Sequence, residues 1–188
     1  IQFEIKERKC IMKTIKKVGF VGLGLIGGSI AKAIRQYYPS SEIIAFDKRY
    51  QEFKDRGIEV IGVSTDNEYC HFAWRETDIK QGGIGRVQFP LVADLKKEWA
   101  RGFDVLFDEA VALRGSFLLD KDGTVRHAVI NDLPLGRNID EMVRMVDTML
   151  FTNEHGEVCP AGWNKGDKGM KPTTEGVASY LSTDGDKL

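Results

Sequence analysis

Glycines spaced for a phosphate contact follow an apolar segment near the start of the 188-residue chain. The segment GLGLIGGS places Gly22, Gly24 and Gly27 between a predicted buried strand and a predicted amphipathic helix over Leu25–Tyr37. This spacing allows a tight turn, a close approach of the backbone to a pyrophosphate and close helix–sheet packing. The helix that follows would present free N–H groups to the phosphates. The pattern indicates a dinucleotide-binding turn, and a plain strand–helix turn is the alternative.

An acidic residue at the end of a second strand completes such a site by binding the ribose hydroxyls. Asp47 lies twenty residues after the last of these glycines, at the end of the segment EIIAFD. The same letters also fit a helix, because Ile43, Phe46 and Phe53 recur at helical spacing. Residues 42–47 are therefore open to two interpretations, a strand that ends in the acid or the start of a helix.

The thiols are the other candidate reactive groups, and the chain has three: Cys10, Cys70 and Cys159. They are too few and too scattered for a disulfide framework, and they suit a reducing cytosol, so a cytoplasmic location is predicted. Cys70 lies in EYCHFAW, where it is interpreted as a small packed hydrophobe. Residues 1–11 precede Met12 and are interpreted as a disordered leader, which makes Cys10 irrelevant to the chemistry.

The composition is that of an ordinary globular protein, with 42% hydrophobic and 29% charged residues and a net charge of −1. The absence of a basic excess argues against a nucleic-acid partner. No apolar run approaches the roughly 20 residues of a membrane span, and no signal peptide is visible, so no membrane partner is expected. No metal site is predicted.

Strand and helix patterns alternate along the middle of the chain. EVIGVSTDN and FPLVAD are typical of buried strands, EYCHFAWRE of a short helix, and GGIG of a flexible loop. GSFLLDKDGTVRHAVIN predicts an antiparallel hairpin, because two apolar strands flank an Asp-Lys-Asp-Gly turn. A helix is predicted after Asn138, and an extended arm from Glu154. These patterns indicate an α/β layered domain with a mixed sheet.

The form VGFVGLGLIGGSIAKAI resembles prephenate and arogenate dehydrogenases over roughly Lys13 to Asp47. The resemblance implies NAD or NADP binding by the three glycines and Asp47. Those enzymes also need a catalytic histidine and a helical dimerisation domain, and nothing after Asp47 resembles either. Dehydrogenase activity is therefore not expected, although an NAD(P)-binding fragment is one alternative function.

From Glu42 to its C-terminus the chain resembles alkyl hydroperoxide reductase C, a typical two-cysteine peroxiredoxin. The segments that carry this resemblance, in unbroken order, are EIIAFDKRYQEFKDRGIEVIGVSTD, HFAWRE, GGIG, FPLVADL, ALRGSFLLDKDGTVRHAVINDLPLGRNIDEM and HGEVCPAGW. The resemblance implies a thioredoxin-like fold, a hydroperoxide substrate, a thioredoxin-like reductant and no cofactor for the peroxidase chemistry. It also implies a homodimer or a ring of dimers.

The same resemblance assigns two site residues and reveals one departure. Cys159, in GEVCPAGW, corresponds to the resolving cysteine, and Arg114, in ALRGSF, to the arginine that stabilises the nucleophilic thiolate and orients the peroxide. The family places its peroxidatic cysteine in a Val-Cys-Pro-Thr-Glu sequence, and here Pro39 stands in its place. Serine hydroxyls at positions 40 and 41 cannot replace a thiolate, so the chain is predicted to be inactive as a peroxidase.

Together the two resemblances predict a chimera: a leader over 1–11, a Rossmann-like strand–helix segment over 12–41, a peroxiredoxin core over 42–152 and a C-terminal arm over 153–188. The Rossmann-like unit would replace the N-terminal strands of the thioredoxin-like sheet, its strand lying beside EVIGVS. The helix is the favoured interpretation of residues 42–47, because the surfaces that follow belong to the peroxiredoxin part. A structural or interaction protein without an active site is the remaining alternative.

Overall fold

The computed structural model describes residues 18–22 and 41–187. The predicted leader, the helix predicted over Leu25–Tyr37, Gly24, Gly27 and Pro39 lie outside the described residues. The chain divides into two compact units, residues 1–139 and residues 140–188.

The first unit carries all of the described strands and the short helices. Its elements are β1 (Val18–Gly22), α1 (Ser41–Lys48), α2 (Tyr50–Asp55), β2 (Glu59–Ser64), α3 (Glu68–Glu76), β3 (Leu91–Ala93), α4 (Glu98–Gly102), β4 (Leu106–Phe107), β5 (Val111–Ala112), β6 (Arg114–Leu119) and β7 (Val125–Asn131). The second unit contains nearly all of α5 (Ile139–His155) and the whole of α6 (Thr174–Asp184).

A five-stranded mixed sheet organises the first unit, in the order β3-β2-β1-β6-β7. Strand β1 pairs in parallel with β2, Val18 lying opposite Glu59, and antiparallel with β6 on its other side. The prediction that the first strand joins the sheet beside EVIGVS is therefore confirmed. Strands β4 and β5 form a separate two-stranded ribbon.

The predicted hairpin is confirmed, and its first strand, β6, is a fully buried strand between β1 and β7. Every residue of β6 is buried, whereas β7 alternates between half-buried and exposed residues, as expected of a strand with one solvated face. The Asp120 carboxylate organises the turn by accepting hydrogen bonds from the backbone N–H groups of Asp122 and Thr124, both at 3.0 Å. Phe117 and Leu119 of β6 then pack into a core shared with Val63, Ala100, Val105 and Ala112.

Residues 42–47 are helical, within α1, so the strand interpretation of this segment is wrong. Ile43, Phe46 and Phe53 are each at most 3% exposed, and the rings of the two phenylalanines lie 5.9 Å apart. Burial of this helical stripe is the physical reason for the outcome, since a strand would have turned alternate residues to opposite faces.

The GGIG segment is a tightly packed turn and not the flexible loop that its composition suggested. The Gly83 N–H donates to the Asp78 carbonyl at 3.0 Å, and Ile84, next in the chain, is 2% exposed. A Cβ atom on Gly83 would lie 1.9 Å from the Thr77 carbonyl oxygen, a distance too short for any side chain. Glycine is required at this position by close backbone approach.

The second unit is more ordered than the extended arm predicted from its sequence. Val158 and Met170 form an antiparallel bridge, and α6 follows with Thr173 as its N-cap, the Thr173 hydroxyl accepting from the Gly176 N–H at 3.0 Å. Lys168 and Asp184 form an ion pair at 3.1 Å that ties the end of α6 to the preceding segment.

Among the helices that the structure describes, none is long and apolar enough to cross a membrane.

Candidate functional site

Arg114 begins the buried strand β6, and its side chain is 5% exposed. Its Nε donates to the Leu133 carbonyl at 2.9 Å, and its Nη1 lies 3.5 Å from the Glu42 carboxylate. Glu42 belongs to the first turn of α1, so the guanidinium lies at the N-terminal end of that helix. Arg114 therefore lies beside the first turn of α1, and its role toward a thiolate and a peroxide stays a prediction.

Glu42 is shared between two arginines. Its carboxylate forms a second, closer ion pair with the Arg137 guanidinium and accepts a hydrogen bond from the Arg137 backbone N–H at 3.2 Å. The same guanidinium donates to the Gly115 carbonyl at 3.2 Å, directly after Arg114 in β6. Side chains of all three charged residues are at most 9% exposed. We call Glu42, Arg114 and Arg137 the ion cluster.

The ion cluster carries two formal positive charges and one negative charge in a buried place. Burial lowers the pKa of the Arg137 guanidinium to about 10, and the negative charge of Glu42 opposes this shift. The guanidinium therefore stays protonated at neutral pH. The first turn of α1 adds the partial positive charge of a helix N-terminus beside the two guanidinium groups. Such a field stabilises a thiolate or the charge that develops on a peroxide oxygen.

The ion cluster is positioned by three segments that lie far apart in the sequence. Glu42 comes from α1, Arg114 from β6, and Arg137 from the loop that follows β7. That loop is fixed by backbone contacts: the Leu135 N–H donates to the Asp132 carbonyl at 3.0 Å, and the Asn131 amide donates to the Gly136 carbonyl at 2.9 Å. The loop thus presents Arg137 at a defined position.

Cys159 lies in the second unit, beside the bridge residue Val158. Its sulfur is half-buried against α5, 3.8 Å from the Thr152 hydroxyl and 4.0 Å from the Thr148 carbonyl oxygen. Burial raises the pKa of this thiol above its ordinary value, and the Thr152 hydroxyl and the charge of Arg144 oppose the rise. At neutral pH the side chain is therefore a thiol and not a thiolate.

Two models of known families match the chain, AhpC/TSA over residues 37–128 and the C-terminal domain of 1-Cys peroxiredoxin over residues 149–183. Alkyl hydroperoxide reductase C of Helicobacter pylori is 64% identical over 148 residues, which are 79% of this chain and 75% of that protein. Peroxiredoxin-1 of Gallus gallus is 47% identical over 143 residues, 76% of this chain and 72% of that protein.

Among solved structures, the reduced 2-Cys peroxiredoxin of Plasmodium vivax matches with a TM-score of 0.82 and 40% identity, covering 92% of this chain and 84% of that one. The chain belongs to the AhpC/TSA family of peroxiredoxins. The resemblance to alkyl hydroperoxide reductase C and the thioredoxin-like fold that it implied are therefore confirmed, and the family chemistry is the reduction of hydroperoxides. The matched family segments do not include the glycine-rich turn.

In this peroxiredoxin the residues predicted for a dinucleotide are not gathered into a described site. Gly22 is the last residue of β1, whereas Gly24 and Gly27 lie outside the described residues. Asp47 lies within α1 and not at the end of a strand, and its carboxylate accepts the Gln88 backbone N–H at 2.7 Å. The strand that would end in this acid is not formed, because the segment that carries it is helical, and a dinucleotide role of Asp47 stays a prediction.

Sequence reasoning found Arg114 but missed its two charged neighbours in the peroxiredoxin site. Glu42 and Arg137 are 95 positions apart, so no local pattern connects them. The available signal was their place in the family-like segments, where Glu42 opens EIIAFDKR and Arg137 ends DLPLGR.

Among the residues that the structure describes, no group of three or more His, Cys, Asp or Glu side chains could hold a metal ion.

Proposed function

We propose that this chain is a peroxiredoxin that lacks its peroxidatic cysteine and does not turn over hydroperoxides. The proposal rests on the residues at the N-terminal end of α1: the ion cluster lies there, and the sequence that leads into Glu42 is Pro39-Ser40-Ser41. The anion-favouring environment remains, but the side chain that would use it is absent from the sequence at that place.

Peroxide reduction needs a nucleophile that is ionised near neutral pH. A thiolate attacks one peroxide oxygen, the O–O bond breaks, and the sulfur is oxidised to a sulfenic acid while the other oxygen leaves as water or an alcohol. The Ser40 and Ser41 hydroxyls cannot supply this step, since sulfur carries the redox change. Arg114 would stabilise the thiolate and the leaving oxygen in a complete site, through the charge that the cluster holds at α1.

Cys159 then has the role of a resolving cysteine without a partner. In the complete reaction its thiol would condense with the sulfenic acid, forming a disulfide and releasing water, and a thioredoxin-like reductant would restore both thiols. The raised pKa of the Cys159 thiol supports this passive role, because a buried protonated sulfur is a poor first nucleophile. Cys70 is likewise half-buried, on α3.

Peroxide consumption coupled to a thioredoxin system tests the proposal. We expect the wild-type rate to equal that of Cys159→Ser and of Cys70→Ser, because neither thiol starts the cycle. A wild-type rate well above one of these variants would identify that cysteine as the nucleophile and overturn the proposal. Loss of the rate in both variants would indicate a two-cysteine cycle by another route.

The assembly proposed with this function is a homodimer, and a ring of such dimers. Strand β7 supports it, since β7 ends the order of the described sheet and thus offers a strand edge for pairing with a second copy. Ala128 and Ile130 are exposed on its solvated face. Sedimentation velocity should give a dimer or larger species. We expect Ile130→Lys to shift the distribution toward the monomer, and an unchanged distribution for this variant would count against β7 as the interface.

The second candidate function, NAD or NADP binding, is favoured by one observation: β1 is a parallel sheet strand that ends at Gly22, the first glycine of the turn. A dehydrogenase-like origin of residues 13–41 goes with it. Calorimetric titration with NADH and NADPH tests this function. Saturable binding that is lost in Gly24→Val would support it, and the absence of a binding signal would oppose it. Single long reads of the encoding DNA across the Ser40–Glu42 codons test the join, because split reads would contradict a true fusion.

A further inference from the structure

A second buried polar cluster lies at the carboxyl end of β2, and the peroxidase chemistry does not use it. The Ser64 Oγ lies 3.0 Å from the Asp66 Oδ2 and 2.6 Å from the His71 Nε2. The Asp66 backbone N–H also donates to Ser64 Oγ, at 3.3 Å. The three residues are between 2% and 9% exposed. Ser64 ends β2, and His71 lies on α3, so the cluster joins strand to helix.

With His71 neutral, these contacts can be formed by two different arrangements of the hydrogen atoms. Ser64 has one hydroxyl proton and can donate it to only one of its two neighbours. When Asp66 is ionised, the His71 Nε2–H donates to Ser64 Oγ and the hydroxyl donates to the carboxylate. When Asp66 is protonated, its O–H donates to Ser64 Oγ, and the hydroxyl donates to a bare Nε2, so the imidazole carries its proton on Nδ1.

We propose that Ser64, Asp66 and His71 form a pH-sensitive relay that reverses its hydrogen bonds when the cluster takes up a proton. A hydronium ion delivers one proton to His71 Nδ1 and leaves as water. The Nε2 proton passes to Ser64 Oγ, and the hydroxyl proton passes to Asp66 Oδ2. The cluster gains one proton in total, the carboxyl group ends neutral, and the imidazole is neutral before and after.

Burial favours this end state over an imidazolium ion. It raises the pKa of the Asp66 carboxyl to about 6, against the opposing hydrogen bond from Ser64. It lowers the pKa of His71, against the opposing charge of Glu68. Ordinarily a histidine takes up a proton at higher pH than an aspartate does. Burial brings the two pKa values closer together or reverses their order. The proton that enters at acidic pH then neutralises the buried carboxylate, whereas an imidazolium ion would add a buried charge.

The charged groups of the neighbouring elements affect this balance less than burial does, because burial is the largest cause of both pKa shifts. On α3 the titratable and charged groups other than His71 itself are Glu68, Tyr69, Cys70, Arg75 and Glu76. On β2 the charged residue is Glu59, at the opposite end of the strand from Ser64, where it pairs with Lys54. Asp94 follows β3, and its carboxylate accepts the backbone N–H groups of Trp99 and Ala100, at 3.1 and 2.8 Å.

Imidazole nitrogen NMR of the ¹⁵N-histidine-labelled protein tests the relay between about pH 8 and about pH 5, a range that spans the raised pKa of Asp66, about 6. The signals of the three histidines are assigned by His127→Gln and His155→Gln. We expect His71 to carry its proton on Nε2 at the alkaline end and on Nδ1 at the acidic end, with one bare nitrogen throughout. Two protonated nitrogens at the acidic end, or an unchanged Nε2–H tautomer, would overturn the proposal.

Asp66→Asn provides the control, since its amide keeps the shape but cannot accept the proton. In this variant we expect no change of tautomer with pH. The raised pKa of Asp66 contributes stability that is present below its ordinary value of 3.8 and is lost as the pH rises through about 6. The urea midpoint of the wild type should therefore rise relative to that of Asp66→Asn as the medium is acidified from neutral pH. A constant difference would contradict the relay, and if the variant does not fold, the wild-type tautomer still decides.

Discussion

The substitution Glu42→Gln tests whether the ion cluster is the fixed framework of the α1 head. It removes the carboxylate charge between Arg114 and Arg137 while keeping the size of the side chain. The glutamine oxygen can still accept the Arg137 backbone N–H, which lies 3.2 Å from the carboxylate in the native protein. The change therefore isolates the charge from the packing.

The expected loss follows from distance and burial. Opposite unit charges 3.5 Å apart, as in the Arg114–Glu42 pair, attract by about 5 kcal/mol at an effective dielectric constant of about 20. Without the carboxylate, the two buried guanidinium ions lose the negative charge that lies between them. Removing one partner of a buried ion pair costs about 3–5 kcal/mol, and because an acceptor oxygen remains, we expect a loss of about 3 kcal/mol.

Urea unfolding followed by circular dichroism measures this loss. With a slope of about 2 kcal/mol per molar urea, the midpoint should fall by about 1.5 M. The matched control is Glu52→Gln, which breaks an Arg49–Glu52 pair of 2.7 Å whose side chains are 30% and 42% exposed. An exposed pair three residues apart on a helix contributes about 0.5 kcal/mol or less, so this midpoint should hardly move.

Equal losses in the two variants would refute the reasoning. They would mean that the Glu42 charge is as well solvated as the exposed Glu52 charge, and that Arg114 is not held at α1 by a buried carboxylate. A large loss for Glu42→Gln alone would support the ion cluster as the structural framework of the peroxiredoxin site.

Three further changes have expected outcomes. Gly83→Ala should unfold at clearly lower urea, because its Cβ would lie 1.9 Å from the Thr77 carbonyl oxygen, whereas Gly102→Ala, with no atom within 4 Å, should be neutral or slightly stabilising. The rate of Cys159 alkylation by iodoacetamide should rise with an apparent pKa above 9.0 in the native protein and return to the ordinary value in urea; an unshifted native value would contradict its burial. In limited proteolysis, the second unit of Trp163→Ala should be cleaved faster than that of the native protein. This side chain is 2% exposed, and removal of a buried tryptophan costs about 3–5 kcal/mol of stability; an unchanged rate would count against this packing.

Local signals predicted the elements that depend on neighbouring residues. The Asp-Lys-Asp-Gly turn specified the β6–β7 hairpin, because the Asp120 side chain bonds the backbone of its own turn. The short helix α3 was predicted from its sequence, and its N-cap is Asn67, whose side chain accepts the Cys70 N–H at 2.9 Å. Arg114 was found because the segment ALRGSF is characteristic of the family.

Features decided by distant contacts could not be predicted in this way. The apolar residues Ile43 and Phe46 satisfy a buried strand as well as a helix, and only their burial together with Phe53 decides between the two. The pairing of Glu42 with Arg137 joins residues 95 positions apart. The glycines of GGIG suggested mobility, yet the backbone approach at Gly83 is a steric requirement that composition alone does not reveal.

Helix α6 was missed although it carried a usable signal. Its apolar residues are sparse, so periodicity did not indicate a helix. Thr173 is an ordinary N-cap residue, and Glu175 lies in the first turn, a combination typical of a helix start. The ion pair between Lys168 and Asp184 then stabilises the fold of the segment through a contact that sequence spacing does not predict.

The most direct test of the central claim is the rate at which the fully reduced protein reacts with one equivalent of hydrogen peroxide, followed by mass spectrometry with a sulfenic-acid trap. Without a thiol at the N-terminal end of α1, no cysteine of the protein should react faster than an ordinary free thiol. Rapid oxidation confined to a single cysteine would contradict the account and show that this peroxiredoxin retains a working nucleophile.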